Sequence, residues 1–211
     1  MLQYKVVDGS TLDILIKLNN CTLFKNYRLV GGTALALMQG HRKSIDLDFF
    51  GIEKIDSVEL ITFLKSIGKL KEIKTSKRID SCFLDDVKID IVSYPYEWID
   101  SPLIEDNLRL ASKKEIAAMK IAAIVNRGTK KDFIDLNELL NSFNLKEIID
   151  FYISKFNDSS VFFALKSVLY FEDAEIEEMP FMFNNITWQT VKDSIKKAHA
   201  SYMTQNELPS E

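Results

Sequence analysis

The sequence predicts an α+β chain, with an α/β half to about residue 100 and a helical half after it. Three observations carry that reading. Residues 27–30, Tyr-Arg-Leu-Val, read as a short strand that meets Gly31-Gly32 and then a helical run from Thr33 to Met38. Residues 79–84 and 87–93 read as a hairpin turning at Asp85-Asp86, and in its second strand Val87, Ile89 and Ile91 alternate with Lys88, Asp90 and Val92. After Pro95 and Pro102 the apolar spacing becomes mostly helical.

Taken in order, Ser10 or Thr11 caps a first helix whose Leu12, Leu15 and Ile16 form an apolar stripe. Strand 27–30, the glycine turn and a short helix to about Gln39 lead to a strand over Asp46–Phe50. Ser57 then caps an amphipathic helix with Val58, Ile61 and Leu64 inward, closed by Gly68. The hairpin follows. Ser112-Lys-Lys-Glu115 reads as a capping box that opens a helix to about Arg127, ended by Gly128. Another helix spans Lys131 to Leu140, and more lie around 146–156, 159–169 and 187–203, with an acidic loop and Pro180 among them. The expected division is an α/β domain over 1–100 and a helical domain over 101–211.

A chain of 211 residues that is 46% apolar suits one large globular domain or two small ones. No stretch reaches the ~18 apolar residues of a membrane span, and MLQYKVVDGS lacks a signal-peptide core, so a cytoplasmic protein is expected. Two isolated cysteines and two histidines exclude a disulfide framework and a zinc site. A net charge of −4 and a pI near 5.4 argue against duplex DNA as a partner. Lys113, Lys114, Lys120, Arg127, Lys130 and Lys131 nonetheless cluster, a local basic face suited to a nucleotide or an RNA end.

The chemistry concentrates at Val30-Gly31-Gly32-Thr33 and Asp46-Leu47-Asp48-Phe49. Two glycines at a strand-to-helix junction let the backbone approach a ligand, and N–H groups entering a helix hold a phosphate. Asp46 and Asp48, two apart on a strand, project to one face at roughly 6–7 Å along the chain. Hard oxygen ligands beside a phosphate cradle suit Mg²⁺ carrying a nucleoside triphosphate. Asp90 sits mid-strand in Lys88-Ile-Asp-Ile-Val, where an acid has poor β-propensity, and completes a three-acid metal site if its strand neighbours that of Asp46. Lys120 and Arg127 share one helix face with Ile116 and Ala123. Those two cations either reach the triphosphate or pair with Asp132 and Asp135 of the next helix.

These residues resemble a known family. V-G-G-T and G-H-R-K-S-I-D-L-D-F-F are similar to the hG[GS]…DhDh signature of the DNA polymerase β-like nucleotidyltransferases, and more narrowly to the AbiEii/AbiGii toxins. The similarity continues through K-I-D-I-V, A-S-K-K-E-I-A-A-M-K-I-A-A-I-V-N-R-G-T-K-K-D-F-I-D-L and Y-F-E-D-A-E-I-E-E-M-P, over most of residues 27–192. It implies a polymerase β-like domain with a small mixed sheet, followed by a helical domain that completes the active-site cleft. It implies a Mg²⁺-dependent enzyme that moves a nucleoside monophosphate from an NTP to an acceptor hydroxyl, on a tRNA 3′ end or a protein. Such an enzyme is the toxin of a toxin–antitoxin or phage-defence pair, with a cognate antitoxin as partner. Carried over by position, Asp46, Asp48 and Asp90 are metal ligands, and Asp90 is alternatively the base. Gly31, Gly32, Thr33, Arg42 and Ser44 contact the nucleotide. Lys120 is catalytic and, with Arg127, holds the nucleotide, and the family's late aspartate falls on Asp132 in preference to Asp135. The rival readings are a small-molecule nucleotidyltransferase of the antibiotic-modifying kind and a non-catalytic nucleotide-binding regulator.

Overall fold

A computed structural model describes residues 1–206. The chain forms two compact units, Met1–Ser112 and a second that begins at Lys113.

The first unit is built on a seven-stranded mixed sheet. Its strands are β1 (Arg28–Val30), β2 (Leu47–Gly51), β3 (Leu70–Thr75), β4 (Ile79–Leu84), β5 (Val87–Ser93), β6 (Leu103–Glu105) and β7 (Leu108–Leu110), in the order β3-β4-β5-β2-β1-β7-β6. Three helices accompany it: α1 (Gly9–Asn20), α2 (Gly31–Gln39) and α3 (Ser57–Ile67). β1 runs antiparallel to β2, whereas β2 runs parallel to β5. Leu47, Phe49, Ile89 and Ile91 are buried, together with Leu29 and Val30 of β1. Phe24 meets Phe49 edge-on at 5.3 Å between ring centroids. Alternation therefore sends the residues between them, Asp48 on β2 and Lys88 and Asp90 on β5, to the opposite face.

The Asp85-Asp86 hairpin forms where expected, with both residues at positive φ (48° and 67°), the geometry of a two-residue turn matched to strand twist. The sheet is larger than the expected one. β6 and β7 extend it through a second such turn at Asp106-Asn107 (φ 51° and 62°), and β7 pairs parallel with β1, which is why the first unit reaches Ser112. β3 is an edge strand rich in lysine, with a register shift between Lys71 and Lys74, features that protect an edge from further pairing.

Two helix phases differ from expectation. Asp56, not Ser57, caps α3 by accepting from the Val58 and Glu59 amides, so Leu60 and Leu64 turn inward and Val58 is exposed. In α1 the buried residues are Thr11, Ile14, Leu15, Leu18 and Asn19, and Ile16 faces solvent.

The second unit is helical: α4 (Lys113–Asn126), α5 (Lys130–Leu139), α6 (Leu145–Lys155), α7 (Val161–Ser167), α8 (Glu172–Glu175) and α9 (Trp188–Asn206). Gly128, at φ 54°, ends the α4 segment. α4 is buried nearly all round, through Ile116, Ala117, Ala118, Ile121 and Ile124, and it also buries Glu115 against Lys155 of α6. Among the described residues no helix is long and apolar enough to cross a membrane.

Candidate active site

Gly31 begins α2 at φ 69°, in the left-handed region that favours glycine. A Cβ built there would lie 2.6 Å from Asp48 Oδ2, so the carboxylate of β2 packs directly over this turn. The glycine motif and the second aspartate are thus one device. Val30, the N-cap of α2, provides no side-chain cap, which leaves the first-turn amides to a ligand or another group. Gly32 is half-buried in that same turn.

Thr33 is placed differently from the expected phosphate contact. It is buried, and its hydroxyl lies 2.8 Å from Ser44 Oγ and donates to the backbone carbonyl of Asp46. That bond ties down the residue just before β2, which begins at Leu47 and not at Asp46. Arg42 is buried too, and donates to the Lys43 carbonyl at 3.0 Å and to Ser44 Oγ at 3.4 Å. Thr33, Arg42 and Ser44 together fix the segment that delivers Asp46 to the site.

The parallel pairing of β2 with β5 sets Asp48 beside Asp90. Sequence reasoning made that conditional on the strands being neighbours, and they are. Asp90 is held on both oxygens, by Ser81 Oγ at 2.5 Å and by Lys88 Nζ at 2.7 Å. Among the described residues no group of three or more His, Cys, Asp and Glu side chains is arranged to hold a metal ion. Asp48 is the carboxylate that packs against the glycine turn, and Asp46, half-buried, lies two residues before it.

Lys88 is the residue that sequence reasoning passed over. Its hydrogen bond to Asp90 holds the ammonium pKa above the ordinary lysine value, against the opposing effect of burial, and the charges of Asp90, Asp46 and Asp48 add to the rise. One cation therefore senses all three acids. The available signal was the i, i+2 placement of Lys88 and Asp90 on one strand face.

In the helical unit the two expected cations converge on one carboxylate. Lys120, only 5% exposed, lies 3.0 Å from Asp132 Oδ1 and 2.7 Å from Asp135 Oδ2. Arg127 donates through Nε to Asp132 Oδ2 at 3.0 Å and through a terminal nitrogen to Oδ1 at 3.3 Å, and Thr129 Oγ1 donates to Oδ2 at 2.7 Å. The pairing alternative for Lys120 is thus realised, with Asp132 as the hub. Arg127 differs in being largely exposed, with Asp132 fixing its orientation.

Burial pushes the Asp132 carboxyl pKa up, but Lys120, Arg127 and Thr129 outweigh it and bring the value down from 3.8 to about 2. A depressed folded-state pKa stabilises the protein above the unfolded value, and that stability drains away as pH falls toward the folded one. As pH falls from about 5 to about 1 the protein should lose roughly 2 kcal/mol from this group. Urea unfolding across that interval checks it: Asp132→Asn should give a flatter pH dependence than the native chain. Parallel curves would show that Asp132 is not the group responsible.

The chain matches the family described as nucleotidyl transferase AbiEii toxin, type IV TA system, over residues 13–205. An uncharacterized protein of Aquifex aeolicus is 30% identical over 211 residues, which cover 96% of this chain and 99% of that one. MenT4, a nucleotidyltransferase toxin of Mycobacterium tuberculosis, has a similar fold, with a TM-score of 0.59 at 15% identity over 94% of this chain and 84% of its own. JHP933 of Helicobacter pylori gives a TM-score of 0.54 at 18% identity, covering 94% of this chain and 96% of that one.

Proposed function

Because the chain belongs to the AbiEii nucleotidyl transferase toxin family, we propose that it transfers a nucleoside monophosphate from an NTP to an acceptor hydroxyl, with Mg²⁺. The observation that carries the reading is Asp48 packed over the Gly31 turn at the uncapped start of α2. A phosphate on that turn would lie next to the Asp46 and Asp48 pair.

A divalent ion suits these residues, since Mg²⁺ is commonly held by one or two carboxylates together with substrate phosphates. Asp46 and Asp48 would hold it, and when bound it would acidify the attacking hydroxyl and neutralise charge on the departing pyrophosphate. The rest is done by the chain. The α2 amides and Gly31-Gly32 hold phosphate, and Thr33, Arg42 and Ser44 keep the Asp46 segment in place. Arg127 presents a fork suited to phosphate oxygens, oriented by Asp132, with Lys120 beneath it. The acceptor oxygen bonds to the α-phosphorus as the bond to the β-phosphate oxygen breaks, and pyrophosphate leaves. Asp90 is the third carboxylate on this face, a further ligand or the group that receives the hydroxyl proton.

We assign the acceptor to a tRNA 3′ end or a protein hydroxyl, and a cognate antitoxin as the partner that restrains the enzyme. The supporting observation is the family itself, a type IV toxin–antitoxin family. The purified protein, incubated with each α-labelled NTP, Mg²⁺ and total cellular RNA or protein, should label one fraction from one preferred NTP. Labelling of a small molecule alone would replace this acceptor class. Absence of turnover with every NTP and acceptor would favour a nucleotide-binding regulator.

A further inference from the structure

Lys88 stands among the acids of the site without an assigned role. It shares the open face of β5 with Asp90, and the parallel register places Asp90 beside Asp48. Neighbouring strands lie about 4.8 Å apart, so two like charges at this pairing would repel. The Lys88 ammonium answers that repulsion at 2.7 Å from Asp90 Oδ2, while Ser81 of β4 takes the other oxygen at 2.5 Å. Both Asp90 oxygens are therefore committed to groups carried by the sheet itself, and no three-acid group capable of holding a metal forms among the described residues.

We propose that Lys88 is a positioning residue that withholds Asp90 from the metal ligand set, so that before nucleotide arrives a divalent cation is held by Asp46 and Asp48 alone. The proposal rests on the metal-dependent reading above and refines it. A cation that recruited Asp90 would have to displace an ammonium already seated there. With Lys88 in place the three carboxylates carry two net negative charges, which one divalent ion neutralises. The triphosphate then supplies the remaining oxygen ligands.

The test is Mn²⁺ binding to the full chain without nucleotide, followed by electron paramagnetic resonance and calorimetry, with thermal melting to confirm folding. Asp90→Asn in the native background should weaken Mn²⁺ binding by about tenfold or less, through the loss of one charge and not of a ligand, whereas Asp48→Asn should abolish binding. Lys88→Met should tighten binding about tenfold by freeing a third carboxylate, and Lys88→Met with Asp90→Asn should lose that gain. Lys88→Arg, which keeps the charge, should behave as the native protein. If Asp90→Asn weakens binding as much as Asp48→Asn, Asp90 is a resident ligand and the proposal is wrong. It is equally wrong if Lys88→Met binds no more tightly than the native chain. Should neither the native protein nor Lys88→Met bind Mn²⁺, the metal reading itself falls, and the role of Lys88 with it.

Discussion

Asp48→Asn should reduce nucleotidyl transfer by roughly 10²–10³-fold or more, while global stability changes by no more than about 0.5 kcal/mol. The two halves of this expectation have separate causes. On the proposed reading, catalysis depends on the charge of the side chain packed over Gly31, because an amide of the same shape is a poor ligand for a hard cation. Stability depends on it far less, because Asp48 is half-buried and its attraction to Lys88 is offset by its repulsion of Asp90. Initial rates of α-phosphate transfer, paired with urea unfolding of the same preparation, separate the two. Parallel loss of rate and stability would make Asp48 a structural residue. An unaltered rate would remove the whole site assignment.

Much of this arrangement was legible in the residues, and for identifiable reasons. Gly31-Gly32 at a strand-to-helix junction and two acids two apart are local patterns, and the antiparallel pairing of β1 with β2, which sets Val30 opposite Asp48, brings the turn and the acid into contact. The Asp85-Asp86 hairpin was equally readable, since short polar residues tolerate the positive φ that such a turn demands. Asp106-Asn107 carries the same signal, but strands of three residues flank it, too short for alternation to show. β3 was hidden because a charged edge strand lacks the apolar period that reveals a buried one. The helix phases failed at Val58 and Ile16 because packing selects the inward face among several apolar side chains, and it buries Leu60 and Leu64 of α3 and Ile14, Leu15 and Leu18 of α1. The i, i+2 placement of Lys88 and Asp90 was readable in the segment, but its nearness to Asp48 depends on the β2–β5 register, which no single segment encodes. Composition could not separate the two fates of Lys120, since an inward lysine serves a ligand and a buried acid equally well.

The structure gives that lysine the buried acids, and the consequence is a large expected loss of stability. Lys120→Met keeps length and apolar bulk but removes the ammonium 3.0 Å from Asp132 and 2.7 Å from Asp135, both of whose side chains are almost wholly buried. Leaving buried charge uncompensated costs about 3–5 kcal/mol, a large part of the 5–15 kcal/mol that holds a typical domain together. Arg127 cannot make up the difference, since it is largely exposed and reaches Asp132 from the solvent side, whereas Lys120 is buried between Asp132 and Asp135. Adding Asp135→Asn to Lys120→Met should recover much of the loss, because one fewer charge is then buried without its cation. Urea unfolding of the two single variants and the double gives the coupling directly, and a cost below about 1 kcal/mol for Lys120→Met would refute the buried-pair account. The stabilised double then isolates function. Asp132 remains, but without Lys120 beneath it the carboxylate no longer fixes the Arg127 fork as firmly. NTP affinity should therefore stay reduced after stability has returned. Recovery of both together would make Lys120 a packing residue only.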